Sequence, residues 1–369
     1  MPARPAILFN DLRRGAAEQH EALTRATQRV VDSGWYVLGR EGEAFEEEFA
    51  AACGVAHAVG VASGTDAVEL AIRALGIGPG DEVVTQANTC VPTVAAIERA
   101  GASPVLCDVE PEAGTMDVSS LAEALGERTR AVVPVHLYGQ SADTDAIVRL
   151  CAERGVDVVE DCAQAAGARL HGRVAGTIGR LGCFSFYPTK NLAALGDGGA
   201  IVTDDDELAD RLRRVRQYGQ ADRYHHVEAG VNSRLDELQA AILRTRLPRL
   251  ERWNERRAEI AAAYADALAE TPVRPLALLP DRHHVFHLYV VEAPERERLQ
   301  KHLEASGIQT LIHYPRPVHL HPPYRQLAEG PVPLAVSERL SSRIVSLPLY
   351  PELRDDEVER VSDALSAFV

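Results

Sequence analysis

From about residue 55 onward, short apolar runs alternate with stretches of helical spacing. Ala56–Ala62, Glu82–Gln86, Pro104–Val109, Ala131–His136 and Val156–Val159 read as strands. Between them, Thr65–Leu75, Pro92–Ala100, Ser119–Leu125 and Asp143–Arg154 read as helices, the first two followed by Gly76 and Gly101. Strands separated by single helices form βαβ units, and so predict a mostly parallel sheet covered on both faces. Such a sheet places ligands beyond the carboxyl ends of its strands. Gly182–Phe186 and Gly199–Thr203 are further strand candidates, making a seven-stranded sheet.

Helical patterns then run over Asp205–Gln217, Arg234–Leu247 and Leu250–Leu268. Near Thr271 the texture changes. Prolines become frequent, Phe286–Val291 reads as a strand, and Glu295–Ser306 reads as a helix. The expected organisation is a large α/β domain over 1–249, opening with a helical segment, and a smaller C-terminal α/β domain over 250–369. A length of 369 residues is more than one core commonly holds, which favours two.

Composition narrows the function classes. The chain is 46% hydrophobic and 25% charged, ordinary values for a globular protein. No apolar run reaches the ~20 residues of a spanning helix, and Met1–Asn10 lacks the apolar core of a secretory signal. The expectation is a cytoplasmic protein without membrane contact. A formal charge of -15 argues against nucleic acid as a partner. None of the six cysteines is spaced C-x-x-C, so they suggest neither zinc nor a redox pair. His313, His319 and His321 form a histidine cluster, but no metal-ligand pattern accompanies them, so no metal is expected.

Two segments carry the candidate chemistry. Val158-Val159-Glu160-Asp161-Cys162-Ala163-Gln164 ends an apolar strand in a carboxylate. Alone, Asp161 reads equally as the cap of a following helix. The second segment is Gly182-Cys183-Phe184-Ser185-Phe186-Tyr187-Pro188-Thr189-Lys190-Asn191, followed by Leu195-Gly196-Asp197-Gly198-Gly199. It sets a lysine just beyond a strand, in apolar and aromatic surroundings. Lys190 and Lys301 are the only lysines in the chain. A lysine that can lose its proton near neutral pH forms a Schiff base with an aldehyde cofactor.

These blocks resemble the DegT/DnrJ/EryC1/StrS sugar aminotransferase family, a branch of the fold-type-I pyridoxal-phosphate enzymes. The resemblance runs almost end to end. It includes Gly34-Trp35-Tyr36-Val37-Leu38-Gly39, Ser63-Gly64-Thr65-Asp66-Ala67 and Gly78-Pro79-Gly80-Asp81-Glu82-Val83, the two segments above, Asn232-Ser233-Arg234-Leu235-Asp236-Glu237, and His313-Tyr314-Pro315. It implies the fold-type-I architecture and pyridoxal 5′-phosphate as cofactor, with pyridoxamine phosphate as its second form. Lys190 would carry the Schiff base and shuttle the proton, and Asp161 would pair with the pyridine nitrogen. Gln164 would meet the phenolic oxygen. Gly64, Thr65 and Ser185 would hold the phosphate, and Asn232 would reach it from the neighbouring subunit of a homodimer with shared sites. Family members usually carry Tyr or Phe where this chain has Cys90, which leaves a smaller polarizable surface against the ring.

The Gly34–Gly39 block and the region of Tyr224, His225 and Asn232–Gln239 look most like the branch that aminates C-3 of dTDP-linked 3-keto-6-deoxyhexoses. Amination at C-4 of a nucleotide 4-keto sugar is the alternative. The family's usual donor, L-glutamate, implies a ping-pong cycle. Tyr224, His225, His313, Tyr314, His319 and His321 are candidates to face the sugar nucleotide, although each histidine also reads as structural. A nicotinamide-type oxidoreductase needs G-x-G-x-x-G, and Gly76-Ile77-Gly78-Pro79-Gly80 lacks that spacing. A non-catalytic regulator on the same fold would be expected to lose Lys190 or Asp161, and both are present.

Overall fold

The computed structural model describes residues 5–369. Residues 1–4, which carry part of the expectation of no secretory signal, lie outside them. The seven expected strands pair into one sheet. Its order is His57–Val61, Gly199–Thr203, Leu181–Ser185, Asp157–Asp161, Thr129–Val133, Glu82–Gln86, Ser103–Cys107. Gly199–Thr203 is antiparallel to both its neighbours, and the remaining pairs are parallel. Connectivity explains the exception. Residues 186–198 loop back at the same edge of the sheet without a crossover, so the chain can only return antiparallel. The parallel strands therefore end on a single edge, and the loop that turns back there carries Lys190.

The helix expected after the first strand spans Gly64–Ala74 and is capped by Ser63, whose hydroxyl accepts the Asp66 N–H. Its inward face lays Ala67, Leu70, Ala71 and Ile72 against Val59, Val61, Val83 and Ile201 of the sheet. Burying side chains of this kind is worth about 1.5–3 kcal/mol for each of the larger ones. That clamps the start of the helix to the carboxyl edge of the sheet.

A second core lies around the helix Leu250–Leu268. Ile260, Ala261, Tyr264 and Leu268 pack there with Tyr289, Val291, Leu299, Val345, Val361 and Leu365, and Ile7 joins from the N-terminal end. A three-stranded antiparallel sheet of Arg274–Pro275, Tyr289–Glu292 and Ile344–Leu347 backs it. The middle strand begins at Tyr289 rather than Phe286. Phe286 adopts a φ of 44°, and the Phe286 and His287 carbonyls both turn toward Arg257 Nη1. The helix expected at Arg234 begins at Glu237. Asn232 instead makes a bridge with Gln217, and the Ser233 hydroxyl is tied to Ala62 and Asp66. No helix among the described residues is long and apolar enough to cross a membrane.

Candidate active site

Beyond the carboxyl edge of the sheet lies a cavity of about 1240 Å³. Lys190 reaches it from the returning loop. The residue after it, Asn191, is buried and anchors that loop. Its Nδ2 donates to Asn254 Oδ1 at 2.7 Å and to the Val285 carbonyl at 2.9 Å. Lys190 itself makes a backbone turn to the Tyr187 carbonyl. Desolvation by the cavity walls lowers its pKa below the ordinary lysine value, while nearby Cys90 and Asp161 oppose that shift. An amine so placed can exchange its proton closer to neutrality than a surface lysine.

Asp161 ends the strand Asp157–Asp161, and no helix starts after it. Its Oδ1 accepts the Ala163 N–H at 3.0 Å and its Oδ2 accepts the Thr93 hydroxyl at 2.9 Å. Burial raises its pKa, and these two bonds, with Lys190, offset only part of the rise. A buried carboxylate left short of compensation favours a cationic partner in the cavity.

The adjacent Glu160 points to the other face and is fully buried. It pairs with His136 Nε2 at 2.8 Å and accepts the N–H groups of Gly176, Ile178 and Gly179. His136 Nδ1 takes the Ala142 N–H, which leaves no lone pair on this histidine for a metal. Burial opposes ionisation of Glu160, but the bonds from His136 and the backbone outweigh it and lower the pKa. Glu160 therefore stabilises the fold above its ordinary pKa of 4.5, and that stability is lost as pH falls through the lower folded value. We expect Glu160→Gln, which sets an NH2 against backbone donors, to cost about 3 kcal/mol. Urea denaturation at pH 7 measures this, and a change below about 1 kcal/mol would refute it.

The start of the helix Gly64–Ala74 opens on the same cavity beside Ser185. Among the described residues the Gly64 and Thr65 N–H groups have no acceptor, since the cap uses the Asp66 and Ala67 N–H groups. A Cβ on Gly64 would lie 2.5 Å from Ser185 Cβ, so only glycine lets the helix end and this hydroxyl converge. Two free N–H groups, a helix N-terminus and hydroxyls form a cradle suited to a phosphate dianion. With Lys190 and the undercompensated Asp161 in the same cavity, these residues fit pyridoxal 5′-phosphate.

Gln164 is held by its own bonds. Its Oε1 accepts the Tyr138 N–H at 2.7 Å and its Nε2 donates to the Tyr314 hydroxyl at 3.0 Å. Cys90 lines the cavity near Tyr314, and burial raises both its pKa and that of the tyrosine. His313 lines it too, with Nδ1 at 2.8 Å from the Ser346 hydroxyl and its ring 5.5 Å from Phe9. Desolvation takes the His313 pKa down to about 4, with Lys190 adding to the effect, so the ring is neutral at pH 7.

The structure thus brings Gly64, Thr65, Cys90, Asp161, Gln164, Ser185, Lys190, His313 and Tyr314 to one cavity. The other candidates lie off its lining. Asn232 is exposed. Tyr224 is 80% exposed, and His225 lies in a short exposed hairpin pairing with Gln220–Asp222. His319 is buried against Glu338 at 3.0 Å, and His321 is half-buried nearby. Sequence reasoning missed Thr93, Asn191 and His287, which hold or face the central groups. Thr93 lies three positions from Cys90, at the start of the expected helix Pro92–Ala100, but nothing local marks its hydroxyl as bonded to Asp161.

The DegT/DnrJ/EryC1/StrS aminotransferase family model matches residues 17–366. The chain is 48% identical over 364 residues to the dTDP-3-amino-3,4,6-trideoxy-alpha-D-glucose transaminase of Streptomyces venezuelae, covering 98% of this chain and 96% of that protein. It is 45% identical over 365 residues to the erythromycin biosynthesis sensory transduction protein EryC1 of Saccharopolyspora erythraea, covering 98% of this chain and 99% of that protein. The crystal structure of S. venezuelae DesV in complex with a ketimine intermediate superimposes with a TM-score of 0.95 at 46% identity, covering 98% of both chains.

Proposed function

This chain belongs to the DegT/DnrJ/EryC1/StrS aminotransferase family, and from that premise we propose that it moves an amino group from L-glutamate to C-3 of a dTDP-linked 3-keto-6-deoxyhexose in a ping-pong cycle. It is a pyridoxal-phosphate-dependent nucleotide-sugar aminotransferase. The observation that carries the aminotransferase chemistry is the meeting of Lys190, Asp161 and the free end of the helix Gly64–Ala74 in one cavity. The choice of C-3 and of dTDP is supported by the relative named for a dTDP-3-amino product. Retention of Lys190 and Asp161 favours catalysis over a purely regulatory role, even though one relative is named a sensory transduction protein.

When bound, the cofactor supplies a conjugated ring that spreads the electrons left on carbon when a proton departs. The protein's own groups do the rest. Gly64, Thr65 and Ser185 hold the phosphate end at the helix terminus. Asp161 is fixed by Thr93 and Ala163, and its buried carboxylate would hold a protonated ring nitrogen. Gln164, oriented by the Tyr138 N–H, turns its amide NH2 to the Tyr314 hydroxyl at the cavity wall, where it would meet the ring's phenolic oxygen. Lys190, with its lowered pKa, takes a proton from the donor's α-carbon and later delivers one to the sugar carbon.

A homodimer with shared sites belongs to the same reading. Trp35, Tyr36, Val37, Tyr187 and Leu195 are exposed large apolar groups. The Tyr36 carbonyl accepts the Glu237 N–H, and Gln239 bonds Leu195, so these segments adjoin one another next to the Lys190 loop. Such a patch suits burial against a second copy that supplies Asn232 and the Tyr224–His225 hairpin. The division into 1–249 and 250–369 is also part of it, supported by one core drawn wholly from residues before 249 and a second drawn, Ile7 apart, from residues beyond 250.

The experiment is spectroscopic. Purified protein plus pyridoxal 5′-phosphate is expected to show a visible absorption band that L-glutamate converts to a near-ultraviolet one. Adding a dTDP-3-keto-6-deoxyhexose then restores the visible band, and the 4-keto isomer does not. Failure of any visible band to form overturns the reading, and restoration by the 4-keto sugar alone moves the reaction to C-4.

A further inference from the structure

His287 stands in the cavity wall with one ring nitrogen bonded and the other open. Its Nδ1 faces Asn191 Oδ1 at 3.2 Å. Asn191 Nδ2 is already committed to the Asn254 amide oxygen and the Val285 carbonyl. The Asn191 amide is therefore held one way round, and its oxygen can only accept. The imidazole proton must sit on Nδ1, which leaves a lone pair on Nε2. Nε2 has no protein partner among the described residues, and the ring lines the cavity that holds Lys190.

We propose that His287 is a positioning residue for Lys190. Its Nε2 lone pair accepts a hydrogen bond from the Lys190 ammonium, directly or through one water, and holds that ammonium in the cavity whenever the lysine nitrogen is not covalently engaged. The inference rests on Lys190 being the reacting amine. Asn254, Asn191 and His287 then form a relay of orientation running from the helix Leu250–Leu268 to the reaction centre.

The surroundings suit this task. Burial first, then Lys190, Arg257, His313 and His284, keep the His287 pKa well below the ordinary histidine value. Burial thus favours the neutral ring, an acceptor that brings no competing cation to Lys190. The charged and titratable groups acting on Lys190 itself include Cys90 and Asp161, with His313 across the cavity. An uncharged acceptor is what an ammonium needs where desolvation already works against its charge.

The test uses the chain's two lysines. Apoprotein labelled with ¹³C at the lysine ε-carbons gives two signals, Lys190 and the exposed Lys301, which serves as internal reference. His287→Phe keeps a ring and removes the acceptor. His287→Gln can still donate to Asn191 while turning an oxygen to the cavity. We expect the Lys190 pKa to fall by about one unit in the Phe variant, a tenfold shift in its protonation equilibrium. The Gln variant should stay near the wild type, and Lys301 should not move in either. The ¹⁵N spectrum of wild-type His287 should show Nδ1 protonated and Nε2 bare across neutral pH. A wild-type Lys190 titration in the Phe variant, a Gln variant that titrates like Phe, or the opposite His287 tautomer would each overturn the proposal. The nitrogen spectrum needs no variant, so a folding failure does not shield the idea. These readouts involve neither cofactor nor turnover. A protein that passes them yet does not transaminate would sink the functional reading and leave the His287–Lys190 couple standing.

Discussion

Lys190→Arg is expected to leave a folded protein whose transamination rate is lower by at least about 10³-fold, the scale on which positioned acid–base groups act. Arginine keeps the positive charge, so the field at Asp161 and at the neutral His287 and His313 rings changes little. It does not keep the chemistry. A guanidinium holds its proton above pH ~12, so it neither attacks a carbonyl carbon nor trades a proton near neutrality. The Lys190 ammonium, by contrast, has its pKa pulled down by desolvation. The neighbours that hold this loop, Asn191 bonded to Asn254 and the Val285 carbonyl, are untouched by the change. Fold and activity should separate cleanly. The check is a single-turnover measurement of the L-glutamate half-reaction beside a melting curve. Turnover within tenfold of the wild type would remove Lys190 from the reaction.

Asp161→Ala is expected to reduce the rate by about 10²–10³-fold, the usual cost of deleting one preorganised electrostatic group, and to weaken cofactor binding. Its effect on the apoprotein should run the other way. Burial raises the Asp161 pKa above 3.8, so the protonated carboxyl favours folding below that value, and this advantage is lost as pH rises through the higher folded pKa, leaving a buried charge that costs stability. Removing it at pH 7 relieves that cost, although the Thr93 hydroxyl and Ala163 N–H lose an acceptor. The two effects oppose each other, and the apoprotein should unfold within about 1 kcal/mol of the wild type. A purely structural aspartate predicts the reverse pattern, with a marked loss of stability and near-normal turnover. Denaturation of the apoprotein and turnover of the reconstituted enzyme, measured on one preparation, decide between them.

The sheet was legible because its strands are short apolar runs with helices between them, and each such signal is local. Ser63 before Gly64, and Asp161 at the end of Val158–Val159, sit where a parallel sheet must present its ligands. The Lys190 segment could be read for the same reason, since a lysine just past an apolar strand stands out in a chain with two lysines. Strand ends shifted by a few residues where backbone groups found distant partners, as at Phe286, whose carbonyl bonds Arg257.

Other features belong to the tertiary structure alone. His313 and His319 lie six residues apart and look alike in the sequence, yet one lines the cavity and the other is buried against Glu338. Periodicity cannot separate them, because the outcome depends on which distant element packs over each ring. The orientation of Gln164 rests on Tyr138 and Tyr314, and the tautomer of His287 on Asn191 and Asn254. By itself the sequence determined the parallel sheet, the edge where the chemistry sits, and the lysine and aspartate placed there, because helix and strand periods and strand ends are local properties of the chain. Only the tertiary structure decided the direction of each hydrogen bond around them, because a bond's donor and acceptor are chosen by residues that meet only when the chain has folded.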